Sequence, residues 1–84
     1  MRILGLGEKI KILRKQKNMT LKELRLKNGY TQEQVAKITE TTVTYISLLE
    51  NGHKNPSDKM KEKLAEIYKC GIDKIFLAIK LTNS

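Results

Sequence analysis

The sequence predicts an all-α fold, a small five-helix bundle preceded by an extra helical segment at the N-terminus. Three observations carry that prediction. Apolar residues recur at spacings of three and four along most of the chain, the period of a helix with one buried face. Capping residues divide those stretches, leaving connections of about two to five residues. Strand signals are weak, because the β-branched cluster at residues 39–44 is polar and does not alternate.

The elements follow in order. Leu6, Ile10 and Leu13 share one helix face, and Asn18 is a stop for that segment. Thr20 and Glu23 have the spacing of a capping box, in which the hydroxyl accepts a backbone N–H and the carboxylate reaches back to the Thr amide. They open a short helix that ends at Asn28-Gly29. Thr31 and Gln34 repeat the device and open a helix whose apolar residues are Val35, Ala36 and Ile38. Polar residues 39–42 interrupt it. Val43 to Asn51 follows with Ile46 and Leu49 on one side, and Gly52 then supplies a residue able to turn left-handed. Asn55-Pro56-Ser57 reads as a helix start with Ser57 as N-cap, leading to Met60, Leu64, Ile67 and Tyr68. Cys70-Gly71 closes that helix. A last apolar helix runs from Ile72 to about Ile79, before polar Thr82, Asn83 and Ser84.

With 84 residues the chain holds one domain, and its longest apolar run, residues 75–79, is far shorter than the roughly 18 residues of a membrane span. No signal-peptide core precedes it, so a cytosolic protein is expected. One cysteine, Cys70, excludes an internal disulfide, and with His53 alone beside it no structural zinc site can be assembled. The net charge of +8 is uneven: residues 1–28 carry nine Lys/Arg against Glu8 and Glu23, whereas residues 29–84 carry eight against seven acids. A localised basic surface suits nucleic acid or another polyanion through counterion release, or else a solvated helix face.

The middle pair of helices, Gln32–Ile38 and Val43–Asn51, has the length and turn spacing of a helix-turn-helix, whose second helix can enter the DNA major groove. The stretch YTQEQVAKITETTVTYISLLENGHKNPS, residues 30–57, resembles the core of the lambda-repressor-like, Xre-type transcriptional regulators. Gly29, Thr31-Gln32-Glu33, Ala36, Tyr45-Ile46-Ser47, Leu49-Glu50-Asn51-Gly52 and Asn55-Pro56-Ser57 match in order and spacing, and residues 64–76 resemble the closing two helices. The resemblance covers residues 19–77.

It implies roles for individual side chains. Gln32, at a helix N-terminus, would bond a DNA phosphate, and Asn51, ending the recognition helix, would hold the next one. Arg25 and Glu50 occupy the positions of an ion pair that fixes the recognition helix against the first helix. Thr42, Val43, Thr44 and Leu48, with Tyr45 beside them, would face base edges, and His53 and Lys54 would lie along the backbone. The chain departs from the pattern at the turn, where Glu40 stands for the usual Gly and Thr41 for a buried aliphatic. A non-Gly residue at positive φ costs about 1 kcal/mol, so a strained or reshaped turn is expected. Val43 and Leu48 offer no hydrogen bond and could read only thymine methyls, or else pack on a partner.

Other signals are weaker. Gly5-Leu6-Gly7 lacks the preceding strand and third Gly of a phosphate loop. Cys70 replaces an aliphatic and reads as a core thiol, and His53 has no companions for a catalytic triad. No enzyme, metal, cofactor or small-molecule ligand is implied.

The phrase LRKQKNMT at residues 13–20 returns as LRLKNGYT at 24–31. The second copy takes the role of first helix, because Arg25 has the family spacing to Gln32 and Glu50, whereas Arg14 lies 11 residues too early. Residues 19–84 therefore form the complete helix-turn-helix domain, and residues 1–18 are a basic, helical extension. An 11-residue offset turns about 20° past three full turns, so one continuous helix could keep Ile10, Leu13, Leu21 and Leu24 on a stripe. The capping box at Thr20 favours two separate helices. The extension, with Arg2, Lys9, Lys11, Arg14, Lys15 and Lys17, could follow the DNA backbone or pack through Ile10, Ile12 and Leu13.

The function expected is a sequence-specific double-stranded DNA-binding regulator, a repressor, acting as a homodimer on half-sites about 34 Å apart. The dimer would form through Ile75, Phe76, Leu77, Ile79 and Leu81 of the last helix. The alternative is a protein-interaction module on the same scaffold, such as an antitoxin or anti-repressor. The resemblance also implies a cytoplasmic protein of prokaryotic, phage or mobile-element origin.

Overall fold

The computed structural model describes residues 19–83; the expectations for the basic extension at 1–18 lie outside the described residues. Five α-helices make up the described chain: α1 Leu21–Lys27, α2 Gln32–Thr39, α3 Val43–Glu50, α4 Asp58–Ile67 and α5 Ile72–Thr82. Both capping boxes form. Thr20 Oγ1 accepts the Glu23 amide while the Glu23 carboxylate accepts the Thr20 amide, and Thr31 and Gln34 do the same for α2. Thr20 is extended, with ψ 168°, and is the N-cap of α1. Ser57 caps α4 through the Met60 amide.

Helix α2 packs on α3 and α4, α1 packs on α3 and α5, and α4 packs on α5, which encloses one core. Leu21 and Leu24 come from α1, Val35 and Ala36 from α2, Ile46 and Leu49 from α3, and Met60, Leu64, Tyr68, Ile75 and Ala78 from the last two helices and the turn between them. Each large aliphatic side chain removed from water contributes roughly 1.5–3 kcal/mol. Every buried side-chain polar atom among the described residues has a hydrogen-bond partner.

The structure corrects the sequence expectation at four places. Ile38 is exposed and Thr39 takes the inner position. At 100° per residue Val35, Thr39 and Ala36 fall within one 100° arc, and Ile38 lies about 60° outside it. Thr39 is tolerated in the core because its hydroxyl donates to Val35 O at 2.7 Å and pairs with Thr41 Oγ1 at 2.8 Å. Helix α4 ends earlier than Cys70-Gly71: Tyr68 is its C-cap, Lys69 takes the left-handed conformation at φ 54°, and Gly71 is already the N-cap of α5. Helix α5 continues beyond Ile79 to Thr82. Finally Ile75, expected on a partner-facing surface, is fully buried at 0% exposure and belongs to the core, and Ile79 is half-buried. Helix α5 is apolar around most of its circumference, so its composition did not show which side faces inward.

Candidate nucleic-acid interface

The turn between α2 and α3 keeps its compact form despite lacking glycine. Glu40 adopts φ 59° and ψ 43°, which lets the Glu40 and Thr41 amides close on Lys37 O and Ala36 O at 3.2 and 2.8 Å. The strain of a left-handed non-Gly residue is therefore accepted, and the turn is not reshaped. Thr41 is half-buried and its hydroxyl completes the contact with Thr39. Thr42 then caps α3 by accepting the Tyr45 amide at 3.1 Å.

Helix α3 has two unlike sides. Ile46 and Leu49 are buried in the core. Next to them Glu50, its side chain only 4% exposed, accepts a forked pair of bonds from Arg25, 2.7 Å from Nε and 3.1 Å from Nη2. The remaining guanidinium nitrogen, Nη1, donates to Tyr30 O at 3.0 Å. Gln32 Nε2 adds a third donor to Glu50, 3.1 Å from Oε1. One carboxylate thus joins the end of α1, the start of α2 and the end of α3. The hydrogen bond and the charge of Glu50 push the Arg25 pKa up, more than burial lowers it. Tyr68, buried beneath this network and 6.4 Å from the Tyr30 ring, has its phenol pKa raised by burial first and by the Glu50 charge second.

The other side of α3 faces outward. Thr42, Val43, Thr44 and Leu48 are all exposed, and Tyr45 is half-buried at their margin. Asn51 is exposed after the last turn, with its amide 3.3 Å from Ser47 Oγ. His53 and Lys54 are exposed on the loop that follows, and Lys54 Nζ lies 5.6 Å from the centre of the Tyr45 ring. Gln32 is half-buried and aimed at Glu50 rather than outward. Two features of this surface were not read from the sequence. Thr42 serves as a cap, which a Thr placed just before Val43 does signal. Asn55 is held by Asn83, 28 residues away, which no local pattern signals.

The helix-turn-helix family model (HTH_3) matches residues 21–75, from the first core leucine through the buried isoleucine of α5. The chain belongs to this family of Xre-type, lambda-repressor-like transcriptional regulators. Regulators of this family bind DNA through the helix-turn-helix. Among its relatives, the competence pilus inhibition repressor of Acinetobacter baylyi is 41% identical over 54 residues, which are 64% of this chain and 49% of that protein. An uncharacterised HTH-type transcriptional regulator of Bacillus subtilis, YqaF, is 42% identical over 53 residues, 63% of this chain and 67% of the relative. A further uncharacterised HTH-type regulator, from Archaeoglobus fulgidus, is 39% identical over 57 residues, 68% of this chain and 80% of the relative. The chain thus spans about half the length of the Acinetobacter repressor. No solved structure matches it. Among the described residues no helix is long and apolar enough to cross a membrane, and no cluster of His, Cys, Asp and Glu could hold a metal ion.

Proposed function

We propose that this regulator is a repressor that reads a specific duplex DNA sequence with α3 and binds as a homodimer. The outward row of α3 carries the reading: four exposed side chains on a short helix whose opposite side is locked by the core and by Glu50. A helix so held can enter the major groove without losing orientation. Thr42, Thr44 and Tyr45 supply hydroxyls for base edges, and Val43 and Leu48 supply methyl contacts for thymine. Asn51, His53 and Lys54 stand where they can take phosphates beside the groove. Gln32 contributes a phosphate contact if its amide turns from Glu50, or shares its two N–H donors between the two acceptors. The Acinetobacter relative's role as a repressor supports the sign of regulation proposed here.

The dimer surface proposed is the outer side of α5, where Phe76, Leu77 and Leu81 are 51%, 41% and 37% exposed. A groove of about 690 Å³ runs beside it, lined by Phe76, Leu77, Ile79 and Lys80 together with Asn55 and Asn83. Self-association at tens of micromolar, read by sedimentation, supports this surface, and its loss in Phe76→Glu assigns it; a wild-type monomer removes it.

Selection of sites from a random duplex library, with titration of the winner and a scrambled control across salt, tests the function. An inverted repeat bound at least about a thousandfold more tightly than the control establishes the proposal. Binding with no sequence preference and a steep salt dependence refutes sequence-specific reading. Val43 and Leu48, 40% and 36% exposed, favour one second reading, a protein-interaction module. In that case replacing Asn51 leaves partner binding intact and no specific DNA affinity exists to lose.

A further inference from the structure

Thr82 and Asn83, at the end of α5, tie together parts of the chain that are far apart in sequence. Thr82 Oγ1 donates to Ala78 O at 2.7 Å and accepts the Leu21 amide at 3.1 Å, so α5 completes the first turn of α1. Asn83 Nδ2 donates to Asn55 Oδ1 at 2.9 Å. Gly52 meets the same two residues: a Cβ there would come within 3.0 Å of both Asn83 Oδ1 and Thr82 O. Its φ of 75° excludes most other residues for a second, independent reason.

The loop between Gly52 and Asn55 carries His53 and Lys54, the two exposed basic side chains beside α3. At its α3 end it is fixed by the Gly52 and His53 amides, which donate to Leu49 O and Leu48 O at 3.2 and 2.9 Å. At its far end Asn83 holds Asn55. We propose that Asn83 is a positioning residue for DNA binding, acting through Asn55 and Gly52 to set the loop that presents His53 and Lys54 to the phosphates. The assignment rests on the DNA reading above. It also makes the end of α5 part of the DNA-binding apparatus, although it lies outside the helix-turn-helix itself and beyond residue 75, where the family match ends.

The test is Asn83→Ala in the full chain, titrated against the selected duplex, with the same substitution repeated in a His53→Ala/Lys54→Ala background. The substitution is expected to weaken binding about three- to tenfold in the wild-type background, the scale of one hydrogen bond, and to add nothing in the second, where no loop cation remains to be placed. Equal losses in both backgrounds, or no loss in the first, overturn the proposal. Amide hydrogen exchange without DNA gives a separate readout. Exchange at residues 53–55 should quicken in Asn83→Ala while Ile46 and Leu49 stay protected, and unchanged exchange at 53–55 overturns the clamp. If the wild type binds no duplex, the functional reading fails by itself, and the exchange experiment still decides whether Asn83 holds the loop.

Discussion

The inner and outer sides of α3 have little in common. On the inner side Ile46, Leu49 and Glu50 have partners that leave almost no choice of residue, whether core packing or three hydrogen-bond donors converging on one carboxylate. On the outer side Thr42, Val43, Thr44 and Leu48 touch solvent, and only the Thr42 hydroxyl has a structural task. The helix is therefore a fixed mount with an interchangeable face. Stability resides on the inner side and the proposed recognition on the outer side of the same two turns, so substitutions should separate them.

The largest effect is expected at Glu50. Glu50→Ala removes the acceptor for two Arg25 nitrogens and for Gln32, leaving a guanidinium buried without its counter-ion. Breaking a buried pair from one side costs about 3–5 kcal/mol, a large part of the stability of a domain this small. Chemical denaturation measures it. Replacing Arg25 and Glu50 together with apolar residues of similar volume should recover much of the loss, because the desolvation of both charges is then also removed. If the single and double variants are equally unstable, the pair is not what mounts the helix.

The pH dependence of the inner side comes next. Burial and the Glu50 charge raise the Tyr68 phenol above its ordinary value near 10, so the unfolded chain ionises first as pH rises. The contribution of this group is complete below pH 10 and is lost as pH climbs toward the folded-state value, at a slope of up to about 1.4 kcal/mol per pH unit. The Cys70 thiol, also pushed up by burial, acts in the same direction from about pH 9. Urea denaturation at pH 9 to 11.5 should show a shallower loss for Tyr68→Phe than for the wild type. Identical slopes would mean that the phenol is not buried in the folded protein.

The turn that aims α3 offers a gain. Glu40 occupies a left-handed conformation that glycine adopts without cost. Glu40→Gly should stabilise the domain by about 1 kcal/mol, read as a higher denaturation midpoint with unchanged slope. DNA binding should stay within about twofold, since the substitution keeps the angle between α2 and α3; a changed site preference would show that Glu40 itself reaches the DNA.

How much of this was legible in the sequence follows the same division. The capping boxes at Thr20 and Thr31, the Ser57 cap and the left-handed Gly52 are local signals, contained in four or five residues, and each one is present. The spacing of Arg25 to Gln32 and Glu50 was legible only through the family resemblance, because nothing in helical periodicity brings residues 25 apart into contact. The burial of Thr39 in place of Ile38 depended on the rotation of α2 about its axis, which packing against α3 and α4 sets. Lys69 taking the left-handed position ahead of Gly71 belongs to the same class, since the glycine was used to start α5 and not to end α4. The contact of Asn83 with Asn55 spans 28 residues and leaves no local pattern at all.

The smallest effect on stability, and the sharpest on recognition, is expected at Leu48. Its side chain is 36% exposed on the outer row, and trimming it opens no cavity in the core. Leu48→Ala should change stability by no more than about 0.5 kcal/mol, the range of surface substitutions away from caps and buried networks. If Leu48 lies against a thymine methyl, the variant should lose preference for that one base pair, by about five- to tenfold, while its affinity for other sites and its salt slope stay as they were. Leu48→Gln should then move the preference toward adenine at the same position, because its amide can bond N6 and N7 together. A uniform loss across all sequences would place Leu48 against the sugar-phosphate backbone. A loss of folding stability above about 1 kcal/mol would place it against the protein, and the outer side of α3 would then carry structure as the inner side does.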